Sequence, residues 1–394
     1  MTTDHELAFN FDVPTRVMFG TGSSRRIVEV TQRRGVRRVL LVADEGVVAA
    51  GLVEPVVKDL ESVSVEVVVY DRISANPRDS EVDAGAAIAL AEGCDHIVAV
   101  GGGSPIDCAK GISVVMAMGG SIRDYDHHPR ISDRATPVIA IPTTAGTGSE
   151  VTVFAVITDT NRNHKMAFGG GPVAPRVALV DPGLTLSLPP AVTAGTGMDA
   201  LTHAVEAYVT AAHNPICDAL ALKAVSLIVP ALPKAYADGK DLDARSNLML
   251  GSTLAGMAFS SSDLGPVHCM SESAGGVYDV PHGLANAVYL PYVMGYNVPA
   301  VPERIRDLGL AMGIDLYEVD AVTAAKRTVE AVVSLSREVG IPRPDEIGVP
   351  SCGLAALAAR AASHPCAATN PRPIDAEAFL ELFQRAHAGD TPLA

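Results

Sequence analysis

A chain of 394 residues is too long for one compact core, and the first expectation is two domains of roughly 150 to 200 residues each. Hydrophobic residues make up 48% of it, but Gly, Pro, Asp or Arg interrupts every apolar run before the roughly 18 residues that a membrane span needs. The formal charge of −15 argues against nucleic-acid and anionic-membrane partners, which require clustered Lys and Arg.

The chain opens on "MTTDHELAFNFDVP", which lacks the basic and apolar regions of a secretory signal, so a cytoplasmic protein is expected. The cysteines (Cys94, Cys108, Cys217, Cys269, Cys352, Cys366) form no CxxC pair, which fits reduced thiols. Through about residue 185, aliphatic runs alternate with helix-length stretches: "RVLLVAD", "VSVEVVVYD", "HIVAVGGGS", "PVIAIPTT" and "VALVDP". That alternation predicts βαβ units around a parallel sheet. Beyond Pro189 and Pro190 the texture is Ala- and Leu-rich at helical spacing, and a mostly helical domain is expected. The boundary falls within "DPGLTLSLPP", dividing the chain into 1–187 and 188–394, with a cleft between the parts as the natural place for a site.

Asp44 ends the first run. A carboxylate there either closes an acidic turn or accepts hydrogen bonds from both hydroxyls of a ribose, repelling a 2′-phosphate and favouring NAD(H) over NADP(H). Further on, Gly101, Gly102 and Gly103 let the backbone approach a ligand, while Ser104 and the amides of a helix starting near Pro105 offer donors to phosphate oxygens. Asp107 adds an early-turn carboxylate. The pattern is not GxGxxG, and a tight turn without ligand is the plain alternative. A second loop, "IPTTAGTGSEVT", gathers Thr143, Thr144, Thr147 and Ser149 around Gly146 and Gly148 after another strand. Two hydroxyl-rich loops at parallel strand ends suit a dinucleotide lying across the sheet edge. Lys165 is either a solvated loop lysine or a contact to a phosphate or ribose oxygen.

"GTGMDALTHAVEAY" then places Asp199 and His203 four apart at the start of a helical pattern, on one face. They read as half of a divalent-metal site, or as a helix cap and a core histidine. "GPVHCMSESAGGVYDVPHG" supplies His268 on a helix and His282 just before the next one. One carboxylate and three imidazoles form a mixed N/O set suited to Fe2+, with Zn2+ as the alternative. The serines of "MAFSSSDLGPVH" hint at a polar pocket.

With "VMFGTGSSRRI", "GGGSPIDCAKG", "PTTAGTGSEVT", "DPGLTLSLPP", "GMDALTHAVEAY", "VHCMSESAGGVYDVPHGLANAVYLPYV" and "TNPRPID", the chain resembles the iron-dependent, group III alcohol dehydrogenases over nearly its full length. The resemblance implies an α/β N-terminal dinucleotide-binding domain with a parallel sheet, followed by an all-α metal-binding domain, in the dehydroquinate synthase-like fold. It implies Asp199, His203, His268 and His282 as metal ligands and Gly101 to Ser104 as the pyrophosphate loop. Thr143, Thr144 and Ser149 would then serve the nicotinamide side. It also implies a homodimer or larger homo-oligomer. One position departs: the family's VHxMxH pattern has a second histidine where this chain has Glu272. Glu272 is therefore expected to face the metal as a proton relay or outer partner, and as an ionised group to repel anionic substrates. His268, Glu272 and His282 are the candidates for catalysis.

The chemistry expected is hydride transfer between a nicotinamide and a small, polar alcohol or aldehyde whose oxygen a cation polarises. The rivals are a maleylacetate reductase or glycerol dehydrogenase-like enzyme of the same superfamily, and an inactive nucleotide-binding protein on this fold.

Overall fold

The computed structural model describes residues 8–126 and 131–393, so the first half of the acidic N-terminal stretch lies outside it. The strands are β1 (Arg16–Phe19), β2 (Arg38–Val42), β3 (Glu66–Tyr70), β4 (His96–Gly101), β5 (Val138–Pro142), β6 (Phe154–Asp159), β7 (His164–Gly169) and β8 (Val177–Val180). Interleaved with them run helices α1 (Ile27–Arg34), α2 (Glu45–Ala49), α3 (Val53–Glu61), α4 (Asp79–Glu92) and α5 (Gly103–Met118).

Six strands form one sheet in the order β1-β8-β5-β4-β2-β3, and all its pairings are parallel. The central strands are apolar throughout because both faces of the sheet are covered. Leu40, Ile97, Ala99 and Ala140 pack on one side with α4 and α5, and Val39, Leu41, Val98 and Ile139 on the other with α1 and α3. The chain leaves β2 in one direction to β3 and returns to place β4 on the other flank of β2. The carboxyl ends of β2 and β4 therefore frame the crevice at a topological switch point. Asp44 follows the first of these strands and the glycine run ends the second.

β6 and β7 form an antiparallel hairpin that the alternating strand-and-helix reading did not anticipate. It borders the cleft with Phe154, Val156 and Lys165.

The helical half comprises α6 (Pro190–Val209), α7 (Pro215–Ala237), α8 (Leu242–Phe259), α9 (Pro266–Tyr278), α10 (His282–Asn297), α11 (Pro302–Ala311), α12 (Ala321–Glu338), α13 (Leu354–Ala362) and α14 (Ala376–Ala388). Asp199 and His203 sit in the middle of α6 rather than at its start, because Pro190 opens the helix, where its ring is tolerated. By length and composition α7, with a mean hydropathy of 1.7, is apolar enough to cross a membrane, which the reading of interrupted runs had excluded. Its buried residues, among them Cys217, Ala221, Ala224 and Ile228, recur at helical spacing and join the core shared with α6 and α8. The two halves are tied by Thr253 donating to Glu150 Oε1 (2.9 Å) and by the Val153 N–H donating to Ser260 Oγ (3.2 Å).

Candidate metal centre

Helices α6, α9 and α10 bring four donors to one spot. A carboxylate oxygen of Asp199 and one ring nitrogen each of His203, His268 and His282 all lie within 4.8 Å of one another. Asp199 Oδ1 is 3.9 Å from His203 Nε2 and 3.8 Å from His282 Nε2. Asp199, His203 and His268 are buried; His282, the first residue of α10, is partly open to the cleft.

Hydrogen bonds at the far nitrogens aim the imidazoles. His203 Nδ1 donates to the Gly146 carbonyl (3.3 Å), and its ring stacks on Phe259 with centroids 4.3 Å apart. His268 Nδ1 donates to Glu206 Oε2 at 2.5 Å. The same carboxylate accepts the Gly265 N–H (3.0 Å) and the Val267 N–H (2.7 Å), so it fixes both the start of α9 and the histidine on it. Such a carboxylate behind a ligating imidazole sets the tautomer and raises its basicity. On the inner side, Asn286 Nδ2 lies 2.7 Å from Asp199 Oδ1 and 3.1 Å from Nε2 of both His268 and His282. An amide donor there means that those atoms present lone pairs. Asn286 Oδ1 is buried without a partner among the described residues.

Burial pushes the His203 imidazolium down to about 3 and also lowers His282, so both rings are neutral near pH 7. At His268 burial works the same way, but Glu206 outweighs it and the net shift is upward. Burial opposes ionisation of Asp199, yet the surrounding imidazoles and the Asn286 N–H hold its carboxyl low. Three nitrogen lone pairs and one carboxylate converging in a buried place fit Fe2+ or Zn2+. Glu206 and Asn286 were not singled out from the sequence, although Glu206 follows His203 by three positions on the same helix face.

Facing this cluster across a cavity of about 110 Å³ are Gly103, Ser104, Asp107, Thr147 and Ser149 of the α/β half. Helix α5 starts at Gly103, two residues before the expected Pro105. Gly101 adopts φ +156°, and a Cβ there would lie 2.5 Å from Pro105 Cγ, so only glycine allows the helix to begin this close to the strand. Several expectations change. Asp107 is a tie: it accepts the Ser149 hydroxyl and the Val156 N–H (3.0 Å), leaving neither oxygen idle. Thr143 is buried and does not line the cavity, and Thr144 packs on Gly102. Thr147 is the threonine that faces in. Ser104 donates its hydroxyl to the Ala75 carbonyl, so its backbone remains the part free to meet a ligand. Asp44 Oδ1 caps α2 through the Val47 N–H (2.9 Å), leaving Oδ2 without a partner among the described residues. Lys165 Nζ donates to Asn76 Oδ1, and burial pushes its pKa down to about 8.

Glu272 lies one turn beyond His268 but outside the four-donor cluster. Its Oε2 is 2.9 Å from Nε2 of His364, which was not singled out from the sequence and comes from 92 residues further along. The Cys366 N–H donates to His364 Nδ1 (3.3 Å), so the Nε2 proton points at the carboxylate. Burial disfavours the charged carboxylate, but His364 more than compensates and holds Glu272 down at about 2. Glu272 is therefore ionised, as expected, and its charge has His364 as a hydrogen-bond partner. Of the "SSSD" stretch, Ser260 and Ser262 bond to backbone, whereas Asp263 lines a second, wider cavity of about 890 Å³ next to the first.

Family descriptions match both halves: "Iron-containing alcohol dehydrogenase" over residues 14–182 and "Fe-containing alcohol dehydrogenase family, C-terminal" over 193–387. The chain is 39% identical over 381 residues to 1,3-propanediol dehydrogenase of Klebsiella pneumoniae, covering 96% of this chain and 98% of that protein. It is 36% identical over 378 residues to NAD-dependent methanol dehydrogenase of Bacillus methanolicus, covering 96% and 99%. A crystal structure of 1,3-propanediol oxidoreductase superposes with a TM-score of 0.93 at 39% identity, over 96% of this chain and 100% of that one.

Proposed function

Because this chain belongs to the iron-containing alcohol dehydrogenase family and is an oxidoreductase acting on CH–OH groups, we propose that it moves hydride between NAD(H) and a small, polar alcohol or aldehyde at the four-donor site. The observation that carries this reading is the convergence of Asp199, His203, His268 and His282 within 4.8 Å, across a cavity of about 110 Å³ from the glycine loop. These four residues would hold Fe2+. When bound there the ion supplies Lewis-acid polarisation of the substrate oxygen, and the nicotinamide supplies or takes the hydride.

The remaining work falls to the chain. Glu206 and the Gly146 carbonyl keep Nε2 of His268 and His203 unprotonated and aimed inward. The Gly101–Ser104 backbone and the amino end of α5 receive the pyrophosphate, where the helix dipole favours an anion. Asp44, with one oxygen free, supports NAD(H) over NADP(H), since a carboxylate repels a 2′-phosphate. Thr147, Ser149 and Lys165 border the space for the nicotinamide and its ribose, and the apolar edges of Phe154 and Leu264 restrict water. The reading includes a homodimer or larger homo-oligomer, as the resemblance to the family implies.

The test is chelator-stripped protein reloaded separately with Fe2+ and Zn2+, assayed for NADH formation from a panel of primary alcohols. Metal-dependent turnover with NAD, weaker with NADP, is expected. Protein that binds neither metal nor NADH would refute the reading.

A further inference from the structure

Asn286 follows His282 by one turn of α10 and is fully buried. Its Nδ2 lies 2.7 Å from Asp199 Oδ1 and 3.1 Å from Nε2 of both His268 and His282, so one atom of the amide rests against three of the four converging donors. The other end, Oδ1, is buried and accepts no hydrogen bond among the described residues. An unpaired carbonyl oxygen inside a polar cluster costs free energy, and an ion is one of the few partners that can offset it there. The amide has little room to withdraw, because α10 is pressed against α6: a Cβ on Gly283 would lie 2.8 Å from the Gly195 carbonyl oxygen and 3.2 Å from Asp199 Cβ.

The charge at the centre decides which end of the amide faces inward. Lone pairs alone attract the N–H end and repel the oxygen; a cation shared by those lone pairs reverses both preferences. Half a turn about the Cβ–Cγ bond exchanges Nδ2 and Oδ1 with almost no change of shape, so the side chain can answer either demand without moving its helix. A neutral oxygen then stands where the nitrogen stood, close against any ion held by Asp199, His268 and His282.

We propose that Asn286 is a fifth protein donor to the metal, through Oδ1, and that this added oxygen biases the centre toward Fe2+ over Zn2+. This rests on the reading of Asp199, His203, His268 and His282 as metal ligands above. Mixed nitrogen and oxygen donors by themselves bind Zn2+ more tightly than Fe2+, so discrimination has to come from geometry and donor number. Zn2+ is satisfied by four donors in a tetrahedron, whereas Fe2+ accepts a larger set.

The experiment uses the full chain loaded with Co2+, Fe2+ or Zn2+, with Asn286→Leu and Asn286→Asp beside the wild type. Co2+ reports its coordination number through its visible absorption, intense for four donors and weak for five or six. The wild type should absorb weakly, Asn286→Leu intensely, and Asn286→Asp, which keeps an inward oxygen, weakly again. In chelator competition without oxygen, Asn286→Leu should lose about tenfold to a hundredfold in Fe2+ affinity, the scale seen when a metal site loses one of its supporting groups. Its Zn2+ affinity should change by less than about threefold, since four donors remain. Asn286→Asp should hold Fe2+ at least as tightly as the wild type, and NADH binding shows that each variant is folded. An intense, four-donor Co2+ spectrum from the wild type overturns the proposal whether or not the variants fold. So does an Asn286→Leu spectrum equal to the wild type's, an equal fall in Fe2+ and Zn2+ affinity, or an Asn286→Asp protein that no longer holds Fe2+. A wild type that binds none of the three metals refutes the four-ligand reading itself, a result distinct from four-donor binding.

Discussion

The α/β wall of the cleft presents backbone and short hydroxyls, with Asp107 and Lys165 tied to neighbouring side chains, whereas the helical wall presents imidazoles held in fixed tautomers. On the first wall the ligand-facing atoms are amides, placed by where a strand stops and a helix starts, so adding a side chain does more harm than removing one. On the second wall the donors are the side chains, and one truncation removes a quarter of the set. The contrast also separates two affinities, for a cofactor and for a metal, that a turnover assay merges.

The sharpest way to break that contrast is a matched pair of variants. His203→Ala should abolish stoichiometric metal content and lower turnover on the order of a thousandfold, the scale of several kcal/mol of lost charge stabilisation. NADH should still bind to it. Gly101→Ala, whose Cβ would lie 2.5 Å from Pro105 Cγ at φ +156°, should weaken NADH binding by about tenfold while metal content stays at wild-type level. Metal analysis and NADH fluorescence titration on both proteins decide the matter, and equal loss of both ligands in either variant would end the two-wall account.

A smaller effect probes how rigidly the helical wall is aimed. Glu206→Gln keeps an acceptor for His268 Nδ1–H but cannot serve that ring and the Gly265 and Val267 amides with two carboxylate oxygens. Metal affinity should fall about tenfold to a hundredfold. A dissociation constant within twofold of wild type would show that packing alone orients His268.

How much of this was legible in the sequence follows the same division. The glycine run and five of the six strands of the parallel sheet announce themselves because both faces of the sheet are covered and backbone turns demand glycine. The four residues proposed to hold the metal also stand out, since His and Asp are scarce in apolar helices. The helical pattern was read from Asp199, although α6 begins at Pro190; a Cβ on Gly197 would come within 2.4 Å of Leu232, so close packing explains the glycine inside a helix. Asn286 and His364 left no signal, because their roles come from contacts made across helices rather than from spacing along the chain. Thr143 and Asp107 differ in how their side chains are used: the threonine is buried, and the carboxylate, though it borders the cavity, bonds to its own neighbours.

The least effect, and one with a defined sign, concerns Lys165, the cation at the seam between the walls. Burial lowers its pKa from 10.5 to about 8, against the pull of Glu272, Asp279 and Asp107. Between about pH 8 and 10.5 the unfolded chain therefore binds more protons than the folded one, and stability contributed by this group rises with pH across that window. Cofactor affinity should move the other way. A charged Lys165 favours the anionic dinucleotide, and that attraction fades as pH rises through about 8, weakening NADH binding by up to about fivefold, the scale of a partly exposed charge pair. Lys165→Met should bind NADH more weakly near pH 7 and show no further loss up to about pH 9. Titrations that fall in parallel for the two proteins would place the pH dependence elsewhere and leave Lys165 as a structural partner of Asn76 alone.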